Sequence, residues 1–357
     1  MTLILSNQDV DELLTMPECL DALEDAYREL AAGRGVNRRR SDSLAPTARP
    51  DARYSLKSMD GILPKQRVGA VRINSDIVTA TRSDGNLRRE KIPAAPGNRW
   101  VGLVLLFSTD TGEPLAIFPD GYMQRLRVAA CNGLGIKYLA RPDACTIGLL
   151  GSGWQAGGQV LAAAAVRKIE RVRCYSPNPE RRRAFARAMS GKAGVEIEPV
   201  DTPEAAVRGA DMVLCATNTL EPIFQAGWLE PGMHLSSIKR PEVEPAALAR
   251  CDRVVIHGHE PAPMQAASAG LATPETAEGK GWSALGELDF DALPTLPDLI
   301  TGRTPGREST GQITCFLNNI GMGYQFAAAG AAFYRKAKAA GRGHELPTEW
   351  FTQDVHP

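Results

Sequence analysis

The strongest constraint on the fold is a buried apolar run, Thr146–Leu150, that leads directly into a glycine-rich turn. The turn and the start of the next predicted helix consist of Gly151, Ser152, Gly153, Trp154, Gln155 and Ala156. Gly151 permits a tight turn, Gly153 lets the backbone approach a pyrophosphate, and Ala156 is small where helix meets strand. Amides at the helix N-terminus attract phosphate. Because a strand precedes the turn and a helix follows it, the motif favours a dinucleotide site over an ordinary strand–helix turn.

Strands and helices alternate around this turn. Apolar runs predict strands at 146–150, 172–175, 195–198, 212–217, 233–238 and 253–257, and helical patterns separate several of them. Such alternation favours a parallel, doubly wound sheet. The predicted fold class is therefore α/β, with a Rossmann-type domain built around the glycine turn.

The segment before this domain has a different pattern. Two apolar runs, 101–107 and 115–118, flank a turn at Asp110-Thr-Gly112, which predicts a hairpin. The polar stretch 34–53 contains six arginines and is predicted to be a solvated loop. Helices are predicted at 124–139 and, in the Ala- and Gly-rich tail, at 312–340. The first segment is thus predicted to be α+β.

Charge and composition restrict the partners. Lys+Arg and Asp+Glu are equal at 41 each, so no net charge favours nucleic acid or an anionic membrane. The longest apolar stretch, 160–166, is too short to span a bilayer, and no signal segment is recognisable. Seven scattered cysteines without a C-x-x-C pair predict reduced thiols, a cytoplasmic location and no metal site. The expected partner is a small molecule or another protein chain.

The residues after the second predicted strand bear on the choice of cofactor. The acidic residue that usually binds a ribose 2′-hydroxyl is replaced by Ser176, and Asn178, Arg181 and Arg182 follow. Loss of the carboxylate removes repulsion of a 2′-phosphate, and Arg181 or Arg182 would pair with that phosphate. NADP is therefore favoured over NAD, although these arginines would equally suit a solvated helix face.

Several segments together resemble the ornithine cyclodeaminase and mu-crystallin family, which also includes archaeal alanine dehydrogenase and several imine reductases. The segments that carry the resemblance are Leu126-Arg-Val-Ala-Ala130, Lys137-Tyr-Leu-Ala-Arg141, Gly148-Leu-Leu-Gly-Ser-Gly-Trp-Gln-Ala156, Ala205-Ala-Val-Arg-Gly-Ala-Asp211, Ala216-Thr-Asn-Thr219, Pro231-Gly-Met-His-Leu235 and Gly306-Arg-Glu-Ser-Thr-Gly-Gln-Ile-Thr314. They are spread over most of the chain.

The resemblance implies a Rossmann domain at 128–310 and a discontinuous α+β domain, 1–127 with 311–357, that binds substrate and forms a homodimer. Substrate would lie between the two domains. Beyond the glycine turn, the cofactor contacts implied or predicted are Ser176, Asn178, Arg181, Ala216, Thr217, Asn218, Leu235, Ser236, Ser237, Ile238 and Ser309. Arg127 resembles the family arginine that binds the substrate carboxylate, a task for which a guanidinium is suited. The alternative is an ordinary arginine on a helix surface.

Two positions depart from the family pattern. The position that matches the catalytic lysine is occupied by Arg72, which can orient charge but cannot exchange protons. The catalytic aspartate that follows the strand ending at Ile238 has no match, because the shorter loop contains Lys239 and Arg240 instead. These cations with Arg127 predict a cationic pocket for a small anionic carboxylate, which disfavours a diamino acid.

The remaining polar residues allow weaker predictions. Arg40 is a further candidate for the cationic pocket, and Asp76, Lys57 and Tyr122 are candidates for proton transfer. His234, which lies on a predicted strand, is expected to be a core or interface residue. The catalytic set predicted from the sequence is therefore Arg72, Arg127, Asp76 and Lys239.

The leading hypothesis is an NAD(P)H-dependent oxidoreductase acting on a carbon–nitrogen bond, as in an imine reductase or an amino acid dehydrogenase. It would reduce an imine or keto acid to an amino acid, or catalyse the reverse. The first alternative is an ornithine cyclodeaminase that retains NAD tightly and releases ammonia. The second is a cofactor-binding partner subunit without catalysis. Net change in absorbance at 340 nm, release of ammonia, or neither would distinguish the three.

Overall fold

The computed structural model describes residues 1–83, 86–219, 221–239, 242–259, 263–269, 271 and 289–355, with the backbone alone described for 80–83 and 86–89. In chain order the strands are β1 Thr2–Ile4, β2 Val36–Asn37, β3 Ser41–Pro46, β4 Ala52–Leu63, β5 Val68–Ser83, β6 Asn86–Ile92, β7 Val101–Ser108, β8 Pro114–Pro119, β9 Thr146–Leu150, β10 Arg171–Tyr175, β11 Ile197–Pro199, β12 Met212–Cys215, β13 His234–Ser237, β14 Arg253–Ile256, β15 Met264–Ala267, β16 Thr314–Leu317 and β17 His344–Leu346. The helices are α1 Asn7–Leu13, α2 Met16–Ala31, α3 Gly121–Leu139, α4 Trp154–Val166, α5 Pro179–Ala193, α6 Pro203–Val207, α7 Pro245–Ala249, α8 Leu296–Ile300 and α9 Tyr324–Ala339.

The second half of the chain forms a parallel sheet of seven strands in the order β11-β10-β9-β12-β13-β16-β14. Every neighbouring pair in this sheet is parallel. The strand order reverses between β9 and β12, and the crevice at such a reversal is where doubly wound sheets bind ligands. The Rossmann-type domain predicted from the sequence is confirmed.

A second sheet of ten strands has the main order β15-β3-β4-β5-β7-β8-β1-β17. Its long central strands alternate strictly between buried and less buried residues. One face is covered by α9, which packs on β4, β5 and β7, while the residues on the opposite face of these strands are partly or fully exposed. The hairpin predicted around Asp110 is present as β7 and β8.

The predicted solvated loop at 34–53 is wrong. Strand β3 runs antiparallel to β4 through this segment, with Ser41 opposite Ser58 and Pro46 opposite Arg53. The alternation around Asp42 and Leu44, which are both buried, was masked by the neighbouring arginines. Arg40 donates two hydrogen bonds of 2.8 Å to Asp42, so its charge is compensated within the strand.

The domain boundaries also differ from the predicted ranges. β16, which the sequence placed in a tail helix of the first domain, is a buried strand between β13 and β14 of the parallel sheet. β15, predicted within the Rossmann range, pairs with β3 of the other sheet. Helix α3 continues across the predicted division after residue 127. Each domain therefore contains a segment from the predicted range of the other domain, and the chain crosses between the two sheets more than once.

The structure also bears on membrane spans and metal sites. Within the described residues, none of the helices has both the length and the apolar character that crossing a bilayer requires. Over the same part of the chain, no group of three or more His, Cys, Asp or Glu is placed to hold a metal ion.

His234 lies fully buried on β13, where its Nδ1 is 3.0 Å from Thr314 Oγ1 of β16. Burial, followed by the charges of Arg307 and Arg167, lowers the pKa of His234 to about 3. The ring is therefore a neutral core residue that hydrogen-bonds across the parallel sheet, as the sequence predicted.

The pKa of His234 predicts acid sensitivity of the fold. Since the folded pKa lies below the ordinary value, the unfolded chain binds more protons as pH falls from about 6.5, and the free energy of unfolding decreases. His234→Asn should remove about 2–3 kcal/mol of the decrease between pH 7.5 and pH 4.5, measured by urea unfolding. The exposed His344→Asn is the matched control, and equal slopes for both variants would contradict the argument.

Candidate functional site

The glycine turn between β9 and α4 is built as the sequence predicted. Gly151 has a φ of +122°, and its amide donates to the carbonyl of Tyr175 at 2.8 Å. A Cβ at Gly151 would collide with the carbonyl oxygen of Ala216, so only glycine fits there. Gly153 caps α4, and no protein atom lies within 4 Å of the place where its Cβ would be. The backbone at Gly153 is therefore open to close approach by a ligand.

A cavity of about 640 Å³ lies at this turn, along the carboxyl ends of β9, β10 and β12. The predicted cofactor residues that line it are Gly151, Ser152, Gly153, Trp154, Gln155, Ser176, Asn178, Arg181, Ala216, Thr217, Asn218 and Ile238. Its position at the strand-order reversal and its glycine turn at the start of α4 fit a dinucleotide.

Five predicted or implied cofactor residues lie elsewhere. Ala156 is fully buried between helix and sheet. Ser236 accepts a hydrogen bond of 2.7 Å from Asn132 inside the protein, and Ser237 donates to the carbonyl of Lys239 at 2.6 Å. Ser309 is exposed, and its amide donates to Gln312 at 3.2 Å. Leu235, also implied, is a buried core residue.

The cavity also has lining residues that the sequence analysis missed. They include Glu90 of β6, from the other sheet, together with Pro203, Thr219, Ile223, Gln225 and Trp228. Glu90 lies in a charged segment in which no sequence pattern indicates a cofactor contact. Only the tertiary fold brings β6 over the Rossmann domain.

The two arginines proposed to select the cofactor differ in position. The Arg182 side chain is buried: it donates to the carbonyl of Ser176 at 3.1 Å, pairs with Asp201 and lies over the ring of Tyr175. Arg181, in contrast, is exposed and lines the cavity beside Ser176. Asn178 accepts from the Arg181 amide at 2.9 Å and so caps α5. Of the two arginines, Arg181 is therefore the one that lines the cavity.

Arg72 of β5 and Arg127 of α3 meet inside the protein. Both guanidinium groups lie over the ring of Phe326, at 5.7 and 4.9 Å from its centroid. Each side chain is buried, with 4% of each residue exposed. The structure therefore excludes an ordinary surface arginine at position 127.

The two guanidinium groups are held differently. Arg72 Nε donates to Asp120 Oδ2 at 2.6 Å, and Asn74 donates to the same oxygen at 3.2 Å. Arg127 Nη1 donates to Gln325 Oε1 at 2.8 Å, while its Nε has no hydrogen-bond partner among the described residues. Burial, with the nearby charge of Arg72, lowers the pKa of Arg127 to about 10. A buried, cationic guanidinium with a donor unused is suited to an anionic ligand.

The other predicted cations, and Tyr122, lie away from the arginine pair or outside the described residues. Lys239 donates to the carbonyl oxygens of Asn218 and Thr219, at 3.3 and 2.6 Å, on the rim of the cofactor cavity. Arg240 lies outside the described residues. Tyr122 packs edge-on against Trp154 with ring centroids 4.8 Å apart. The predicted pocket of four cations is thus represented by the Arg72 and Arg127 pair alone in the described structure.

Asp76 and Lys57 lie together on the buried face of the ten-stranded sheet. Lys57 Nζ is 3.0 Å from Asp76 Oδ2, and Lys91 Nζ is 2.9 Å from Asp76 Oδ1. Burial disfavours the ionised carboxylate, but the two ammonium groups outweigh it and lower the pKa of Asp76. Asp76 is therefore an ionised partner of lysines.

The loop after β13 is organised by Glu242, whose importance the sequence analysis missed. Its carboxylate accepts from the amide and hydroxyl of Thr217 at 2.6 and 2.7 Å, and from Ser237 and Ile238 at 3.0 and 3.1 Å. Burial raises the pKa of Glu242, although these hydrogen bonds oppose the shift. The carboxylate thus joins the chain after β12 to the end of β13 beside the cavity.

Comparison with known proteins agrees with this geometry. The model of the ornithine cyclodeaminase/mu-crystallin family matches residues 1–341. The chain belongs to this family. A Δ1-pyrroline-2-carboxylate reductase from Bacillus cereus is 28% identical over 350 residues, which cover 96% of this chain and 99% of the relative.

Solved structures of the family share the fold. The Thermococcus litoralis Δ1-pyrroline-2-carboxylate reductase in complex with NADH and L-proline superposes with a TM-score of 0.78, at 24% identity, covering 96% of this chain and all of that one. An archaeal alanine dehydrogenase dimer with bound NAD gives a TM-score of 0.75 at 23% identity, covering 97% and 99%. The two-domain arrangement is therefore that of the family.

The candidate site thus has two parts: a cavity suited to a dinucleotide in the Rossmann domain, and a buried arginine pair beside the ten-stranded sheet. Arg127 and Arg72, the two arginines that the sequence predicted to bind a carboxylate, therefore lie side by side. Arg72 is fixed on Asp120 and can stabilise negative charge.

Proposed function

We propose that the protein is an NAD(P)H-dependent oxidoreductase that acts on the carbon–nitrogen bond of a small carboxylate, reducing an imine to an amine or catalysing the reverse. The observation that carries this proposal is the buried Arg127 guanidinium, with its unused Nε, beside Arg72. A bound nicotinamide supplies the hydride chemistry. The residues of this chain bind and orient: the glycine turn takes the pyrophosphate, and the arginine pair takes the substrate carboxylate.

The relatives support the choice of reaction. The B. cereus relative reduces Δ1-pyrroline-2-carboxylate, a cyclic imine that bears one carboxylate. A substrate of this class satisfies Arg127 with its carboxylate and needs no carboxylate from the protein to hold an ammonium group. The loss of the family aspartate and lysine, in contrast, disfavours the binding and deamination of ornithine.

The test is steady-state oxidation of NADH and NADPH at 340 nm with Δ1-pyrroline-2-carboxylate and with pyruvate plus ammonia. Saturable turnover with at least one substrate is expected. Ammonia released from ornithine without net oxidation would instead support a cyclodeaminase. Saturable cofactor binding by calorimetry without either reaction would support a non-catalytic partner subunit and overturn the proposal.

NADP(H) is the proposed cofactor. Ser176 takes the position of the usual carboxylate and is hydrogen-bonded to Ser152 at 2.8 Å, so no negative charge opposes a 2′-phosphate there. Arg181 lines the same end of the cavity. Since Arg181 is exposed, solvent weakens its pairing with phosphate, and the expected gain is modest.

NADPH should bind about tenfold more tightly than NADH, as expected for one partly solvated arginine–phosphate pair. Arg181→Ala should bring the two dissociation constants close together, and Ser176→Asp should reverse the preference through charge repulsion. Arg183→Ala, which removes a neighbouring exposed arginine that does not line the cavity, is the control. Tighter binding of NADH by the wild-type protein in fluorescence titrations would contradict this choice.

A homodimer is proposed from the uncovered face of the ten-stranded sheet. Its residues alternate with the buried ones of β4, β5, β7 and β8, and the apolar members are Leu56, Ile62, Val71, Ile73, Ile77, Val101, Leu103, Leu105, Leu115 and Ile117. Leu56, Val101 and Leu103 are about two-fifths exposed, at 40, 43 and 39%. A contiguous apolar sheet face of this kind favours a protein interface.

Leu103→Lys should convert the protein to a monomer of 38.4 kDa, whereas the wild type should have twice this mass. A charge at the centre of an apolar interface is strongly destabilising because its solvation is lost. Trp350→Lys, on an exposed tryptophan of the C-terminal segment, is the control. A wild-type monomer in sedimentation equilibrium at micromolar concentration would contradict the dimer.

The cellular location is also a proposal. All seven cysteines are free thiols, and five of them are buried. A cytoplasmic location suits such a set because reducing conditions keep thiols unpaired.

A further inference from the structure

We infer that Lys57 donates the proton to the substrate nitrogen, so that β4 supplies the lysine that β5 lacks at position 72. This inference rests on the proposed function, because it assigns one step of that reaction.

The sheet register places Lys57 on the same face as Arg72. Lys57 is directly opposite Asn74, and Met59 is opposite Arg72, in the antiparallel pair of β4 and β5. Residues opposite each other, and those two apart along a strand, share a face, so Lys57, Arg72 and Asn74 all point to the buried side. Diagonal neighbours of this kind are about 7–8 Å apart at their backbones, within reach of two long side chains.

The buried charges form a row along this face. At one end, Arg127 and Arg72 share the ring of Phe326. Arg72 is joined through Asp120 to Asn74, which is opposite Lys57. Lys57 then pairs with Asp76.

At its other end the row reaches β6, a strand that borders the cofactor cavity. Asp76 pairs with Lys91 of β6, and Glu90, the preceding residue, points to the opposite face of that strand and lines the cavity. Lys57 therefore lies between the carboxylate-binding arginines and the segment that borders the cofactor. A substrate that places its carboxylate on Arg127 and its reactive carbon toward the cavity would have its nitrogen near the Lys57 position.

The chemistry of the row selects a lysine. The guanidinium of Arg72 is fixed on Asp120, and arginine side chains do not serve as proton donors in proteins. Lys57 has only 8% of its side chain exposed, and burial makes the proton affinity of a lysine responsive to its neighbours. Lys91, the other partner of Asp76, is 40% exposed and lies farther from the arginine pair. Asp76 orients the ammonium group of Lys57.

The step balances without any additional reactant. The imine carbon gains a hydride from the reduced nicotinamide, which becomes oxidised, and the carbon–nitrogen π bond moves to nitrogen. The nitrogen gains the proton that leaves Lys57 Nζ, so an N–H bond forms as the Lys57 N–H bond breaks. Water then returns a proton to the neutral amine of Lys57. Oxidation of an amino acid follows the same path in reverse.

The test compares three variants with the wild type in reduction of Δ1-pyrroline-2-carboxylate. Lys57→Ala and Lys57→Arg should lower kcat by about 10²–10⁴-fold, the usual contribution of general acid catalysis. The dissociation constant of NADPH should stay within about threefold, since Lys57 does not line the cofactor cavity. Lys91→Met, which removes the other ammonium from Asp76, should cost less than about tenfold.

Added methylamine should restore part of the kcat of Lys57→Ala, because a small amine can enter the space left by the lysine side chain and donate the proton. Across a series of small amines, the restored kcat should depend on the pKa of the amine. A purely structural ion pair would not give this rescue. If Lys57→Ala does not fold, Lys57→Arg retains the charge and the pairing and still removes the exchangeable proton.

The outcomes separate the two levels of the argument. If the wild type turns over substrate and the kcat of Lys57→Arg is within about threefold of the wild-type kcat, the proposed role of Lys57 is overturned. The oxidoreductase proposal then still stands. A wild type that binds cofactor but turns over no imine or keto acid would overturn the proposed function, and this inference with it. Turnover, a large kcat loss in both Lys57 variants and rescue by methylamine support both.

Discussion

Replacing Arg127 by lysine should lower kcat/KM for Δ1-pyrroline-2-carboxylate by about 10²–10³-fold, as expected when a bidentate, charge-assisted contact worth about 3–4 kcal/mol is lost. Lysine keeps the charge but not the planar pair of donors. Most of the loss should appear in KM, because the carboxylate is bound in the ground state and the transition state alike.

The contribution of the carboxylate can be isolated with a second substrate. For 1-pyrroline, which lacks the carboxylate, the kcat/KM of the wild type should be lower by a similar factor. Arg127→Lys should lower the kcat/KM for 1-pyrroline little further. Such a cycle of variant and substrate measures the coupling between Arg127 and the carboxylate. Equal losses for both substrates would show that Arg127 acts only in folding.

Arg167→Lys is the matched control for this experiment. Arg167 is a partly buried arginine, and it donates to the carbonyl oxygens of Ile136 and Ala140 at the end of α3. Its replacement should lower Tm, because those carbonyls lose their donors, and leave KM unchanged. The two variants together separate a loss of stability from a loss of substrate binding.

The sequence predicted the parts of the site that are local in the chain. The turn at Gly151 and Gly153 needs only a strand, two glycines and a helix in succession, and the structure has all of them. The hairpin around Asp110 is local as well. Such features are encoded within about ten residues, so neighbouring positions suffice to identify them.

The sequence failed where the partners of a segment are distant. Strand β3 reads as polar because its pairing with β4 and the burial of Asp42 arise only in the tertiary fold. Strand β16 is concealed in a tail rich in small residues, and its four buried positions acquire their meaning between β13 and β14. Short buried strands have no periodicity that distinguishes them from helical segments.

The arginine pair shows the same limit at the level of the site. Arg72 and Arg127 were each predicted from a family resemblance, but no pattern indicated that Phe326 from a third element would lie under both. Nor did it indicate that Asp120 would take Arg72 out of proton exchange. These contacts depend on how α9 packs on β5 and on α3.

Two substitutions in the glycine turn should have opposite effects on stability and on cofactor binding. Gly153→Ala should leave Tm almost unchanged, since Gly153 has no protein atom within 4 Å of the added Cβ. The methyl group would stand where the pyrophosphate approaches the backbone, so NADPH should bind about 10²-fold more weakly, a loss of about 2.7 kcal/mol. Calorimetric titration and a thermal melt measure the two effects.

Gly151→Ala should instead destabilise the fold itself by about 3 kcal/mol or more, through the positive φ and the collision with the Ala216 carbonyl. Gly194→Ala is the control, because Gly194 also has a positive φ, of +66°, but no atom within 4 Å of the added Cβ. It should cost only the conformational strain, about 1 kcal/mol. Unchanged NADPH binding by Gly153→Ala would show that the pyrophosphate does not lie on this turn, because a Cβ at Gly153 meets nothing else.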